Sequence, residues 1–101
     1  MSEKSYAFAS KRIAEEGRKI RFMYREDPRR PGDSGWKFFS GDEPQEYIDD
    51  PKNVGEYPLE KITKIDPSVT PYLDTPAPCA FERENDIAEF IESDFDLWLE
   101  E

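Results

Sequence analysis

The sequence predicts an α+β domain built on a small mixed, mainly antiparallel sheet, and three observations point there. Short strand-like runs recur along the chain: a mixed small and aromatic one at Tyr6–Ser10, then patterned ones at Lys19–Arg25, Trp36–Ser40 and Ala77–Arg83. Between and after them, apolar residues return at helical spacing, first as Leu59, Ile62 and Ile65, then as Ile87, Phe90, Ile91, Phe95, Trp98 and Leu99. Nine prolines and five glycines punctuate the chain, so its elements must be short. A length of 101 residues suits one domain, 1–101, with one modest core, roughly three to five strands, and helices packed across one side or edge.

Taken in order, Tyr6–Ser10 is the first expected strand. Lys11–Arg18 fits either a helical turn at Ile13-Ala14-Glu15-Glu16 or a hairpin connection closing at Gly17; a turn around Glu15–Gly17 leading into a second strand is the preferred reading. In Lys19–Arg25 the alternation places Ile20, Phe22 and Tyr24 on one face, with Met23 an apolar exception in the outer row. Glu26–Asp33 is a loop, interrupted by Pro28, Pro31 and Gly32. Trp36 and Phe38 then share a face opposite Phe39, which predicts a strand covered on both sides.

After Gly41 and Asp42, the run Glu43–Asp50 reads as one or two helical turns anchored by Tyr47 and Ile48 and stopped by Pro51. Asn53–Pro58 is a turn with a very short extended piece, and Pro58 can open the Leu59–Ile65 helix. Val69, Tyr72 and Leu73 tuck a connector onto the core, and Asp74–Pro78 is a turn. Cys79 and Phe81 share a face of the next strand. Asn85 can cap a final acidic amphipathic helix, with 84–101 an extension of the domain.

The formal charge of -10 is unevenly spread. Residues 1–40 hold ten Lys or Arg against six Asp or Glu, whereas residues 41–101 hold four against eighteen. From Glu84 onward there are eight acids and no Lys or Arg. This balance argues against direct nucleic-acid binding, which needs a positive surface for the phosphates. It favours a basic partner, drawn faster by complementary charge. Neither a signal-peptide pattern nor an apolar run of membrane-spanning length occurs, so a cytoplasmic protein without membrane attachment is expected.

Catalytic chemistry has little to work with. The chain lacks histidine, the easiest general base near neutral pH and the commonest metal ligand. Cys79, the lone cysteine, has no activating neighbour in sequence and reads as core. Asp42-Glu43 and Asp49-Asp50 lack a recognisable metal-binding loop, Asp33-Ser34 lacks a nucleophile elbow, and the Gly35 and Gly41 spacing is not a phosphate-binding motif. No enzyme, cofactor or metal site is expected.

Three blocks carry a resemblance. The first is Ala9-Ser10-Lys11-Arg12-Ile13 with Phe22-Met23-Tyr24-Arg25-Glu26. The second and strongest runs from Asp33 through Trp36-Lys37-Phe38-Phe39-Ser40-Gly41 to Glu43. The third comprises Glu46-Tyr47, Asp50-Pro51, Asn53-Val54-Gly55, Tyr57, Ile65-Asp66-Pro67, Pro71-Tyr72-Leu73 and Ala80-Phe81. Over about residues 7–83 the chain resembles the DUF2185 family, the immunity protein 33-like domain of bacterial polymorphic-toxin systems. The resemblance implies stoichiometric binding to a cognate toxin; the alternative is a housekeeping or regulatory protein-interaction domain. Partner contacts are sought at Tyr24, Arg25, Trp36, Tyr47 and Tyr57, and at Glu92 and Asp96 of the acidic extension. Arg25 is expected to keep its charged head in solvent, and Trp36 to favour the core.

Overall fold

A computed structural model describes residues 6–27, 32–41 and 43–92. Strand β1 (Tyr6–Ser10) runs straight into a one-turn helix α1 (Lys11–Ala14), followed by β2 (Phe22–Arg25) and β3 (Asp33–Phe39). Helix α2 (Gln45–Asp49) and a 3-10 turn (Pro51–Asn53) lead to β4 (Val54–Pro58) and helix α3 (Leu59–Ile65). A second 3-10 segment (Pro67–Tyr72) precedes β5 (Cys79–Glu82) and the two-residue β6 (Ile91–Glu92).

All six strands join one sheet in the order β4-β1-β3-β2-β5-β6. Among the described residues, only the β1–β3 pair is parallel; the other four are antiparallel. The sheet is therefore mixed and mainly antiparallel, as expected. Its strand order differs from a simple hairpin, because β1 never pairs with β2. The segment after Ser10 takes the helical alternative: Glu15 N–H donates back to the Lys11 carbonyl at 2.8 Å, closing a turn that buries Ile13 and Ala14. That turn lifts the chain over the sheet, and β3 fills the place beside β1.

The main core lies on the helix-covered face. Ala7 and Ala9 of β1, Met23 of β2, Trp36 and Phe38 of β3, and Cys79 and Phe81 of β5 meet Ile13 of α1, Ile62 of α3 and Val69. Alanines along β1 leave room for both helices to approach the sheet closely. Each large side chain buried here contributes about 1.5–3 kcal/mol, so Trp36 and Phe38, both essentially inaccessible, are major contributors. The Trp36 indole N–H does not go unpaired; it donates to the Leu73 carbonyl at 3.2 Å.

Phe22, Phe39 and Ala80 form a second cluster on the opposite face, with Tyr24, Ile48 and Val54 packed against it. Strand β3 is thus covered on both sides, Trp36 and Phe38 one way and Phe39 the other. Two expectations for β2 change. Met23, read as an outer-row exception, is fully buried in the main core, and Ile20 joins it there instead of siding with Phe22 and Tyr24. A bend at Arg21 separates Ile20 from the strand and shifts the alternation by one.

The end of the chain also departs from expectation. No helix begins at Asn85. Its side-chain oxygen accepts from the N–H groups of Ile87 (2.9 Å) and Ala88 (2.7 Å), a capping pattern that closes a turn instead. The chain then pairs Ile91 with Glu82 as β6, which consumes the start of the expected helical stripe. The remainder of that stripe, Phe95, Trp98 and Leu99, lies outside the described residues, as does Asp96.

Candidate partner-binding surface

The strongest sequence block folds into a structural latch. Gly35 has φ +86°, and a Cβ there would stand 2.1 Å from the Glu26 carbonyl oxygen, so only glycine admits this approach of β2 to β3. Gly41, with φ +91°, turns the chain out of β3 so that Glu43 can fold back. The Glu43 carboxylate accepts from Ser10 Oγ at 2.5 Å, Ser40 N at 2.8 Å, Ser40 Oγ at 2.9 Å and Gly41 N at 3.0 Å. It thereby ties the end of β3 to the β1–α1 junction. Ser40 and Glu43 were legible as polar ends of elements, but their meeting with Ser10, 33 positions away, was not.

Of the residues sought as partner contacts, three lie at the β2–β3 pair. Trp36 is 1% exposed and belongs to the core. Arg25, expected to hold its head in water, is half-buried, and its head is tied to the backbone: Nε donates to the Ser34 carbonyl at 3.0 Å, and Nη1 to the carbonyls of Leu73 (3.2 Å) and Thr75 (2.7 Å). Its guanidinium also lies 5.7 Å from the Trp36 ring. Tyr24 points to the other face, stacked 6.2 Å from Phe39 and tilted against Phe22 at 5.6 Å. A groove of about 450 Å³ there is lined by these three rings with Ile48, Arg21, Glu43, Glu82 and Glu84.

Tyr47 and Tyr57 instead engage residues of the α1 region. The Arg12 guanidinium covers the Tyr47 ring at 4.6 Å, and the Tyr57 hydroxyl donates to Glu15 at 3.5 Å. Burial, reinforced by the Glu15 carboxylate, raises the Tyr57 pKa above its ordinary value. Burial likewise pushes the Cys79 thiol up, against a lowering influence from Arg25. Both shifts disfavour the ionised, nucleophilic form. Among the described residues, no group of three His, Cys, Asp or Glu side chains is placed to hold a metal ion.

A buried ion pair was not foreseen. Arg83 Nη2 donates to Asp66 Oδ2 at 2.8 Å, with the two side chains 2% and 4% exposed. The Arg83 Nε also donates to the Ile20 carbonyl at 2.9 Å, and its guanidinium lies 4.3 Å from the Phe90 ring. Asp66 accepts in addition from Ile20 N at 2.9 Å and caps the 3-10 segment by accepting from Ser68 N at 3.2 Å. Only a Pro following Asp66 marked that cap in the sequence; its partner Arg83, just after β5, carried no local signal.

Among the described residues, Glu92 is the one sought residue on an exposed element. It lies on β6, at an edge of the sheet, beyond the loop 84–90. The six sought residues among those described therefore form no single patch: Trp36 is in the core, half-buried Arg25 is tied to backbone carbonyls beside it, Tyr24 lies on the second face, Tyr47 and Tyr57 engage the α1 region, and Glu92 is at the β6 edge.

No curated protein and no solved structure gives a significant match to the chain. The family model for the Immunity protein Imm33 domain does match, over residues 7–94, and so takes in the sheet from Ala7 through β6, past the segment that carried the resemblance in sequence. The chain is an immunity-type protein and belongs to the Imm33 domain family.

Proposed function

We propose that this domain neutralises a cognate bacterial toxin by binding it one to one, with no chemistry of its own. The observation that carries the reading is the family match across residues 7–94. The charge distribution supports it: eighteen acids against four basic residues beyond residue 40 provide a field that speeds encounter with a basic protein. A rigid two-faced sheet also suits a role in which surface is occupied, since a preorganised binder loses little freedom on docking.

Co-expression with a toxin candidate encoded near its gene, followed by size-exclusion chromatography of the purified pair, tests the proposal. A stable equimolar complex that abolishes toxicity is expected. Protection without any complex would overturn it in favour of enzymatic detoxification.

A further inference from the structure

We infer that the loop 84–90 together with β6 is the toxin-contacting edge, and that it takes a basic protein surface bearing an apolar socket. The inference rests on the neutralisation reading above and specifies where and how it is carried out. Among the described residues, the large apolar side chains left exposed are Tyr6 (40%), Ile87 (93%) and Ile91 (62%). Two of the three fall within five residues of each other, in one loop and the strand it feeds. A single exposed isoleucine would be ordinary, but two this close together on one edge make an apolar patch of the kind that marks an interaction site.

The loop is held from beneath. Asn85 Oδ1 accepts from Ile87 N and Ala88 N, Asp86 pairs with Arg21 at 3.0 Å, Arg83 Nη1 donates to the Ala88 carbonyl at 3.3 Å, and Phe90 is buried under the Arg83 guanidinium. Ile87 is thus presented outward on a fixed backbone, which lowers the ordering cost of inserting it into a partner. Ala88 and Ile91 line a neighbouring groove of about 360 Å³ with Glu82, Glu84 and Glu89.

Charge selects the occupant. Glu84, Asp86, Glu89 and Glu92 are all exposed around the two isoleucines, and among the described residues only Asp86 of these four is ion-paired. An apolar anchor inside an acidic surround repels acidic surfaces and favours one with Lys or Arg around an apolar hollow. A second copy of this strongly acidic chain does not fit that description at this edge.

The test uses the purified full chain and the toxin candidate of the co-expression experiment. Toxin affinity is measured for the wild type, Ile87→Lys, Ile91→Lys, the triple variant Glu84→Gln/Glu89→Gln/Glu92→Gln, and Tyr6→Lys as the remaining exposed apolar position. Circular dichroism and melting verify the fold, which an almost fully exposed Ile87 leaves intact. Ile87→Lys is expected to weaken binding on the order of 30-fold or more, as an interface anchor does. The triple variant should flatten the salt dependence of association, and Tyr6→Lys should match the wild type. A wild-type complex that Ile87→Lys, Ile91→Lys and the triple variant all leave unchanged overturns this surface while neutralisation stands. A wild type that binds no toxin overturns the neutralisation reading itself, and this surface with it.

Discussion

Replacing Asp66 with alanine removes the only anion facing the Arg83 guanidinium among the described contacts, while that guanidinium stays 2% exposed. It also strips acceptors from Ile20 N and Ser68 N. Breaking a buried ion pair from one side costs about 3–5 kcal/mol, because a charge is left uncompensated away from water. Against a total stability of about 5–15 kcal/mol for a domain, that is a large share. With a urea slope of about 1–3 kcal/mol per molar for a small protein, the midpoint should fall by roughly 2 M. The measurement is urea unfolding followed by tryptophan fluorescence, with Asp66→Ala, Arg83→Met and the double variant compared. The double variant should lose clearly less than the sum of the singles, since it removes both charges together. Glu60→Gln is the contrast: its pair with Lys64 spans 3.9 Å in solvent and is worth only about 0.3–0.5 kcal/mol. A loss below about 1 kcal/mol for Asp66→Ala, or strict additivity in the double variant, would refute the argument that this pair fastens the 3-10 segment to β5.

Two further outcomes follow from the β2–β3 approach and from the buried thiol. Gly35→Ala should cost at least about 2 kcal/mol in the same unfolding assay, because a positive φ is strained for alanine and its Cβ would collide with the Glu26 carbonyl; a cost near zero would show that the two strands part freely there. Cys79 should resist a thiol reagent at mildly alkaline pH in the folded protein and react promptly in denaturant. Its folded pKa lies above the ordinary 9.0, so the native state holds the proton longer than the unfolded chain does. That contribution to stability is complete below the unfolded thiol's pKa and is lost as pH climbs through the folded value. Equal reaction rates in native and denatured protein would contradict the burial.

Where pattern and packing were local, the sequence was readable. Trp36, Phe38 and Phe39 divided between two faces because alternation inside one strand needs no knowledge of its neighbours, and Leu59, Ile62 and Ile65 did the same for α3. Met23 and Ile20 misled because one bend at Arg21 breaks the period that sequence reading assumes. Arg25 misled for a different reason: its acceptors at Leu73 and Thr75 arrive from 48 and 50 positions away, and nothing near Arg25 announces them. At Asn85 the capping chemistry was correct, yet a capped turn and a helix start share their first two hydrogen bonds. Glu92 was legible as part of an acidic end, whereas the outward Ile87 looked like one member of an apolar stripe.

The interleaved strand order has a bearing on how this protein comes into being. Tyr6–Ser10 precedes both of its pairing partners in the chain but occupies an interior place, flanked by residues 33–39 and 54–58, so neither of its ladders can form until those stretches leave the ribosome. The strand at residues 79–82 then needs Phe22–Arg25 already aligned to receive it. Loop closure over such separations slows assembly and makes it cooperative. An amino-terminal half by itself would carry strand edges with no partner to pair with.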